Sequence, residues 1–199
     1  MLQQPILTFS GPTRQTLGAR LTSPALNGVH SELNRAGSGL ALATLYGLAL
    51  GARAGGIALA QHAAFAAAGL AIVAVLGLPS LFVLLALVNA PITPRAMLSA
   101  GARSVASAGF VLAGLAPSAA LLAVTIESPE AAAFVARAGL LLAGAIGLYQ
   151  LLSSVRALLA EAPLRTRLKC TAFLCAFCVF AIALAARVWS VLPILKGAA

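Results

Sequence analysis

Aspartate is missing from this chain of 199 residues, and only four glutamates stand against 13 Lys and Arg. Charged residues make up 9% of the sequence, where soluble domains carry about 25%. So thin a polar coat excludes an ordinary water-soluble globule. The shortage of acids also limits the chemistry. General acid–base work would have to be assembled from Glu32, Glu127, Glu130, Glu161, His30 and His62, and these divide between the two sides of any membrane the chain crosses. Neither a glycine-rich loop ending in Lys-Ser/Thr, nor His-Glu-x-x-His, nor Gly-x-Ser-x-Gly occurs. The expectation is therefore a protein that is not an enzyme and uses no cofactor. His62 has no second histidine or carboxylate at ligand spacing, which argues against a metal. Cysteine is scarce too. Cys175 and Cys178 form a C-x-x-C without a second pair, and with Cys170 they stand among Phe173, Phe177 and Phe180. They read as buried apolar thiols.

What is abundant is apolar surface: 61% of residues are hydrophobic and the mean hydropathy is +1.03. Five runs approach or exceed the roughly 20 residues a spanning helix needs. They cover residues 37–59 (interrupted by Arg53), 63–90, 105–126, 132–152 and 170–192. None alternates as barrel strands do, so the fold class expected is all-α, a polytopic transmembrane helical bundle of about five spans. The second run contains Pro79. It reads as one kinked helix rather than two spans, with a re-entrant element as the alternative. Residues 1–36 are polar, contain Pro5, Pro12 and Pro24, and lack an early apolar run of signal-peptide length. They are expected to form a flexible cytoplasmic arm, followed by a transmembrane domain over 37–193 and a short tail over 194–199. A short interfacial helix within the arm, around residues 25–33, is the alternative weighed there.

The net charge of +9 does not point to nucleic acid, because the basic residues lie between apolar runs and not along one face. Membrane lipid is the partner those positions suit. With the N-terminus in the cytoplasm, nine basic residues fall inside: Arg14, Arg20 and Arg35; Arg95 and Arg103; Arg156, Arg165, Arg167 and Lys169. Arg53, Arg137, Arg187 and Lys196 fall outside with Glu127 and Glu130. The bias favours N-inside and C-outside in a bacterial inner (cytoplasmic) membrane. Arg53, Arg137 and Arg187 then serve as outer interfacial anchors, the last two within reach of Glu127 or Glu130, and Arg165, Arg167 and Lys169 serve as inner ones. The cluster 165–169 would also attract anionic lipid.

Small residues recur every fourth position in the first run, at Ala43, Gly47, Gly51 and Gly55, with Tyr46 beside them. Such a row lets a second backbone approach closely. It reads first as packing within the chain and second as an interface with another subunit. Pro79 and Pro117 are candidate helix breaks that could free carbonyls along a path.

The segments Leu45-Tyr46-Gly47-Leu48-Ala49-Leu50-Gly51 and Gly77-Leu78-Pro79-Ser80-Leu81-Phe82-Val83-Leu84 resemble those of a family of bacterial multi-pass membrane proteins. Those proteins carry a Tyr-Gly-x-x-Leu/Ala-Gly signature and a later Leu-Pro-x-Leu-x-Val stretch. Leu115-Ala116-Pro117 fits the same pattern, while His62-Ala63 stands where the family often has a basic residue. The resemblance covers about residues 37–156. The five-helix layout with a proline in the second helix is also similar to the Yip-type family of trafficking-related scaffold membrane proteins. Both resemblances imply a helical membrane fold and no established activity. The function expected is a non-catalytic scaffold or accessory subunit of a membrane assembly, with other membrane subunits or further copies of itself as partners. The alternative is a small channel or transporter with proline-broken helices, and the want of a mid-span carboxylate weighs against it.

Overall fold

Lipid offers a backbone no hydrogen-bonding partner, so an apolar chain must satisfy its amides internally. The computed structural model describes residues 24–52, 55–126, 128–160 and 162–191, and every regular element among them is an α-helix. There are five: α1 (Pro24–Gly51), α2 (Gly56–Leu87), α3 (Pro94–Thr125), α4 (Pro129–Leu158) and α5 (Leu164–Val191). The expected all-helical transmembrane bundle is thus the fold observed, and α2 to α5 are each long and apolar enough to cross a membrane. At 28 to 32 residues and about 1.5 Å per residue, they exceed the roughly 30 Å of hydrocarbon a span must cover.

The first span departs from its expected limits. The run over 37–59 does not form one helix, because the chain reverses after Gly51 and residues 56–59 already belong to α2. Gly55 and Gly56 both have positive φ (63° and 53°), a region open to glycine at no steric cost, and this makes the sharp reversal possible. Gly55 therefore sits in the turn and not on the helix face with Gly47 and Gly51. Of the arm expected over 1–36, residues 1–23 lie outside the described structure, and from Pro24 onward it forms the first turns of α1. The longest stretch of α1 free of charged side chains is residues 36–51, about 24 Å of helix. α1 is accordingly the one helix outside the set that could cross unaided. The second run is a single helix that continues through Pro79, not a re-entrant pair.

Helix starts follow local chemistry. Thr93 caps α3 by accepting from the Ala96 amide (3.2 Å), and Ser128 caps α4 by accepting from the Ala131 amide (3.4 Å). Each is followed by proline at the first helical position, where its missing N–H costs nothing. Between α2 and α3, Asn89 takes a left-handed conformation (φ 53°), which Asn tolerates better than most residues.

Successive helices run antiparallel. Gly47 and Gly51 of α1 face Ala63 and Leu59 of α2, and Ser104 of α3 bonds to Gly147 of α4. As a result α1 and α3 run parallel, with Glu32 beside Ser99 and Gly39 beside Val105 and Ala106. The N-termini of α1 and α3 share one end of the bundle, the end that carries Arg35, Arg95 and Arg103.

Two apolar clusters form the core. Nearer the basic end, Leu81, Leu85, Met97, Val155, Leu174 and Phe177 join α2 to α5. Toward the other end, Ala43, Tyr46, Leu112, Ala119 and Leu140 join α1, α3 and α4, with Trp189 of α5 packed against them. Most buried positions are small, Ala above all, while Ile57, Phe110, Phe134, Leu141, Tyr149 and Val179 point outward with 71–79% of their surface free. Small inside and large apolar outside is the arrangement lipid permits and water penalises.

Alternating helix directions predict sided labelling by a membrane-impermeant thiol reagent. In a background with the native cysteines replaced, Arg95→Cys and Ser128→Cys should label from opposite sides of the membrane. Labelling of both from one side would contradict the crossing of the bilayer by α3.

Candidate functional site: glycine contacts and a polar cleft

The closest approach in the bundle lies between α1 and α3. A Cβ built on Gly39 would stand 2.6 Å from the Val105 carbonyl oxygen and 2.7 Å from the Ala106 Cα. One built on Gly109 would stand 2.7 Å from the Gly39 Cα. The two backbones therefore touch with no side chain between them. Higher on α1 the small-residue row turns to α2. A Cβ on Gly47 would come within 2.6 Å of the Ala63 Cα, and one on Gly51 within 2.9 Å of the Leu59 Cα. Ala43 is fully buried between them in sequence. Gly39, Ala43, Gly47 and Gly51 thus form one row, and it is occupied by helices of the same chain.

Tyr46 adjoins the row and is almost fully buried. Its hydroxyl donates to the Ala136 carbonyl of α4 (3.2 Å), with the Val135 carbonyl at 3.4 Å. Gly139 makes room for this ring: a Cβ there would lie 2.7 Å from Tyr46 Cζ. Gly147, two turns farther along α4, lets the Ser104 hydroxyl reach its carbonyl at 2.7 Å. Gly39, Gly109, Gly139 and Gly147 carry these contacts although the sequence reading singled out none of them. The signal was present, since Gly139, Ala143 and Gly147 repeat at the same four-residue spacing used for α1.

Below the Gly39–Gly109 contact, at the basic end, side chains of α1 and α3 line an open cleft of ≈ 400 Å³. Glu32 is its acid. It accepts from the Ser99 hydroxyl (3.0 Å) and pairs with Arg35 at 3.2 Å, the pair Arg35–Glu32 being the only salt bridge among the described residues. Arg103 donates to the Ser99 hydroxyl (3.2 Å) and to its carbonyl (3.4 Å). The result is a chain of polar contacts from Arg103 through Ser99 and Glu32 to Arg35, joining α1 to α3. One turn below, the Arg95 guanidinium lies over Gly28, where a Cβ would meet its Cζ at 2.8 Å. Arg95 has no hydrogen-bond or ion-pair partner among the described residues.

The other residues expected to matter fall on the periphery. Pro79 and Pro117 are exposed on the outer sides of α2 and α3. Each lies eight residues before the end of its helix, and because α2 and α3 are antiparallel those ends are opposite. The structure does not bring them together. Pro117, expected near mid-span, lies off-centre because α3 begins at Pro94 and not at 105. Arg137, Arg165, Arg167, Lys169 and Arg187 are all exposed. Arg53 and Glu127 lie outside the described residues, and neither Arg137 nor Arg187 pairs with Glu130. Of the cysteines only Cys170 is buried; Cys175 is exposed and Cys178 half-buried, so the expectation of three buried thiols holds for one. Among the described residues no group of His, Cys, Asp and Glu has the arrangement to hold a metal.

No family model, curated protein or solved structure matches this chain.

The contacts predict where the bundle is sensitive. Gly109→Leu should overpack the α1–α3 crossing and cost about 1–3 kcal/mol, read as a lower unfolding midpoint in mixed micelles. Tyr46→Phe should cost about 0.5–1 kcal/mol, since the carbonyls it leaves stay bonded within α4. Gly47→Leu should destabilise the isolated monomer. A Gly47→Leu monomer as stable as the parent would instead return that row to an interface between subunits.

Proposed function

We propose that the chain is a non-catalytic integral membrane protein acting as a scaffold or accessory subunit of a membrane assembly, in the cytoplasmic membrane of a bacterium. The observation that carries the reading is the character of the interior. Apart from the Tyr46 hydroxyl, which is bonded to the Ala136 carbonyl, the core contains no buried polar or charged side chain among the described residues, and two apolar clusters make it up. Carrying an ion or polar solute requires ionisable or polar groups facing the bundle interior. Here Glu32 and Glu130 stand at opposite ends of the molecule, both outside the core.

The channel or transporter alternative relied on Pro79 and Pro117 freeing carbonyls toward a common path. Each proline removes one bond, to the carbonyl four residues earlier, at Val75 and at Ala113. Val75 points outward, Ser80 bonds the neighbouring Leu76 carbonyl at 2.8 Å, and both prolines face away from the core. These placements count against a path through the bundle. Partners in this reading are other membrane proteins or further copies of the chain. They would meet the outward apolar faces, because the Gly39–Gly51 row is already filled from within.

The test is a mild-detergent pull-down of the tagged protein from its native membrane, with mass spectrometry of the eluate and a native mass of the complex. The expected result is a stoichiometric membrane partner or a stable homo-oligomer. A clean monomer that conducts ions or solutes in proteoliposomes would overturn the scaffold reading.

A further inference from the structure

The cleft at the basic end is not explained by packing. Its walls are the first turns of α1 and α3 and Leu158 at the end of α4. Arg95 and Arg103 sit two turns apart on α3 and both line it, with Ser99 between them. Their two situations differ in a useful way. Arg103 is held against the Ser99 hydroxyl and carbonyl, so its direction is fixed while part of its guanidinium stays free. Arg95 carries five N–H donors with no partner among the described residues and is seated over Gly28, the one residue type that leaves room for a guanidinium lying across α1.

The acid in the cleft does not neutralise this pair. Glu32 already pairs with Arg35 and accepts from Ser99, which leaves two guanidiniums facing the opening. The N-terminus of α3 adds to them. Thr93 occupies the Ala96 amide, and the partial positive charge of the helix start lies beside Arg95. Two guanidiniums, one of them held against Ser99, and a helix start around an open space form a receptor for a tetrahedral oxyanion. The level of the cleft says where such an anion comes from. It opens where α1 and α3 pass from apolar to polar sequence, at the end of the bundle that carries the inner basic residues. Phospholipid headgroups lie at that depth.

We infer that the cleft binds the phosphodiester of a membrane phospholipid headgroup between Arg95 and Arg103. The basic segment 165–169 has more charge, yet its residues are splayed on the exposed start of α5. It attracts anionic lipid without fixing one. Free inorganic phosphate shares the recognised chemistry, so the experiment separates the two sources.

Delipidated protein in mild detergent is titrated with phosphatidylglycerol, with diacylglycerol of the same acyl chains, and with inorganic phosphate, and bound species are counted by native mass spectrometry. One tight phosphatidylglycerol is expected on the parent and none of the diacylglycerol. Arg95→Gln and Arg103→Gln should each weaken binding about tenfold, the loss of a charge-assisted hydrogen bond. Arg165→Gln with Arg167→Gln should weaken it less than about threefold, as remote screened charges do. Gly28→Leu keeps every charge but displaces Arg95 from its seat, and it should match Arg95→Gln. This variant carries the test if a charge-removed protein fails to fold. Unchanged retention in Arg95→Gln, Arg103→Gln and Gly28→Leu would overturn the proposal, as would an equal loss in the Arg165/Arg167 pair. Arginine-dependent binding of inorganic phosphate without phosphatidylglycerol would assign the cleft to a soluble ligand and overturn the lipid source.

Discussion

Everything in this bundle depends on α1 and α3 coming close enough for their backbones to touch at Gly39 and Gly109. Lipid tails are as apolar as leucine, so no hydrophobic force drives helices together once they are in the bilayer. Dispersion between close surfaces has to do it, and a gap of 0.5–1 Å already forfeits a quarter to a half of a contact's attraction. The missing side chains at these two positions supply that closeness. Once α1 is fixed against α3, its upper half brings Gly47 and Gly51 onto α2 and swings Tyr46 to the carbonyls of α4. Three neighbours are therefore registered through one helix. The same crossing sets Glu32 level with Ser99 and Gly28 level with Arg95, so the geometry of the polar cleft is inherited from an apolar contact two to three turns away.

The membrane setting and the helical class were legible in composition, because no other solvent accommodates this much exposed Leu, Val and Phe. Four of the five helices could be placed from hydropathy, with ends that ran short on the basic side for α3, α4 and α5 and at the opposite end for α2. Polar residues such as Arg95 and Arg103 continue α3 below its apolar part. The first boundary was missed for a physical reason. Alanines around Arg53 keep hydropathy high across 52–59, while the Gly55-Gly56 pair, a turn signal in its own right, registers only if backbone freedom is weighed above apolarity.

The small-residue row shows what a periodicity can and cannot say. Spacing of four residues puts Ala43, Gly47 and Gly51 on one face, and that was readable. Which helix fills the face was not, because spacing carries no information about the partner's identity. The cleft was less legible still. Arg95 and Arg103 read only as charges that set orientation. Their meeting with Glu32 and Gly28 depends on the parallel register of two helices separated by an antiparallel third, and no local pattern encodes it.

That register has a consequence for how the protein is made. Glu32 and Ser99 are 67 residues apart, and α1 cannot find its principal surface until α3 has been synthesised. At roughly 5–20 residues per second, the wait is about 3–13 s. Throughout it α1 has α2 alone to lean on, with an apolar stretch too short to stay buried unaided and an ion pair at its foot. The nascent protein thus carries an unfinished first helix at the membrane surface for seconds, the interval in which an insertion machine, or a protease, would encounter it.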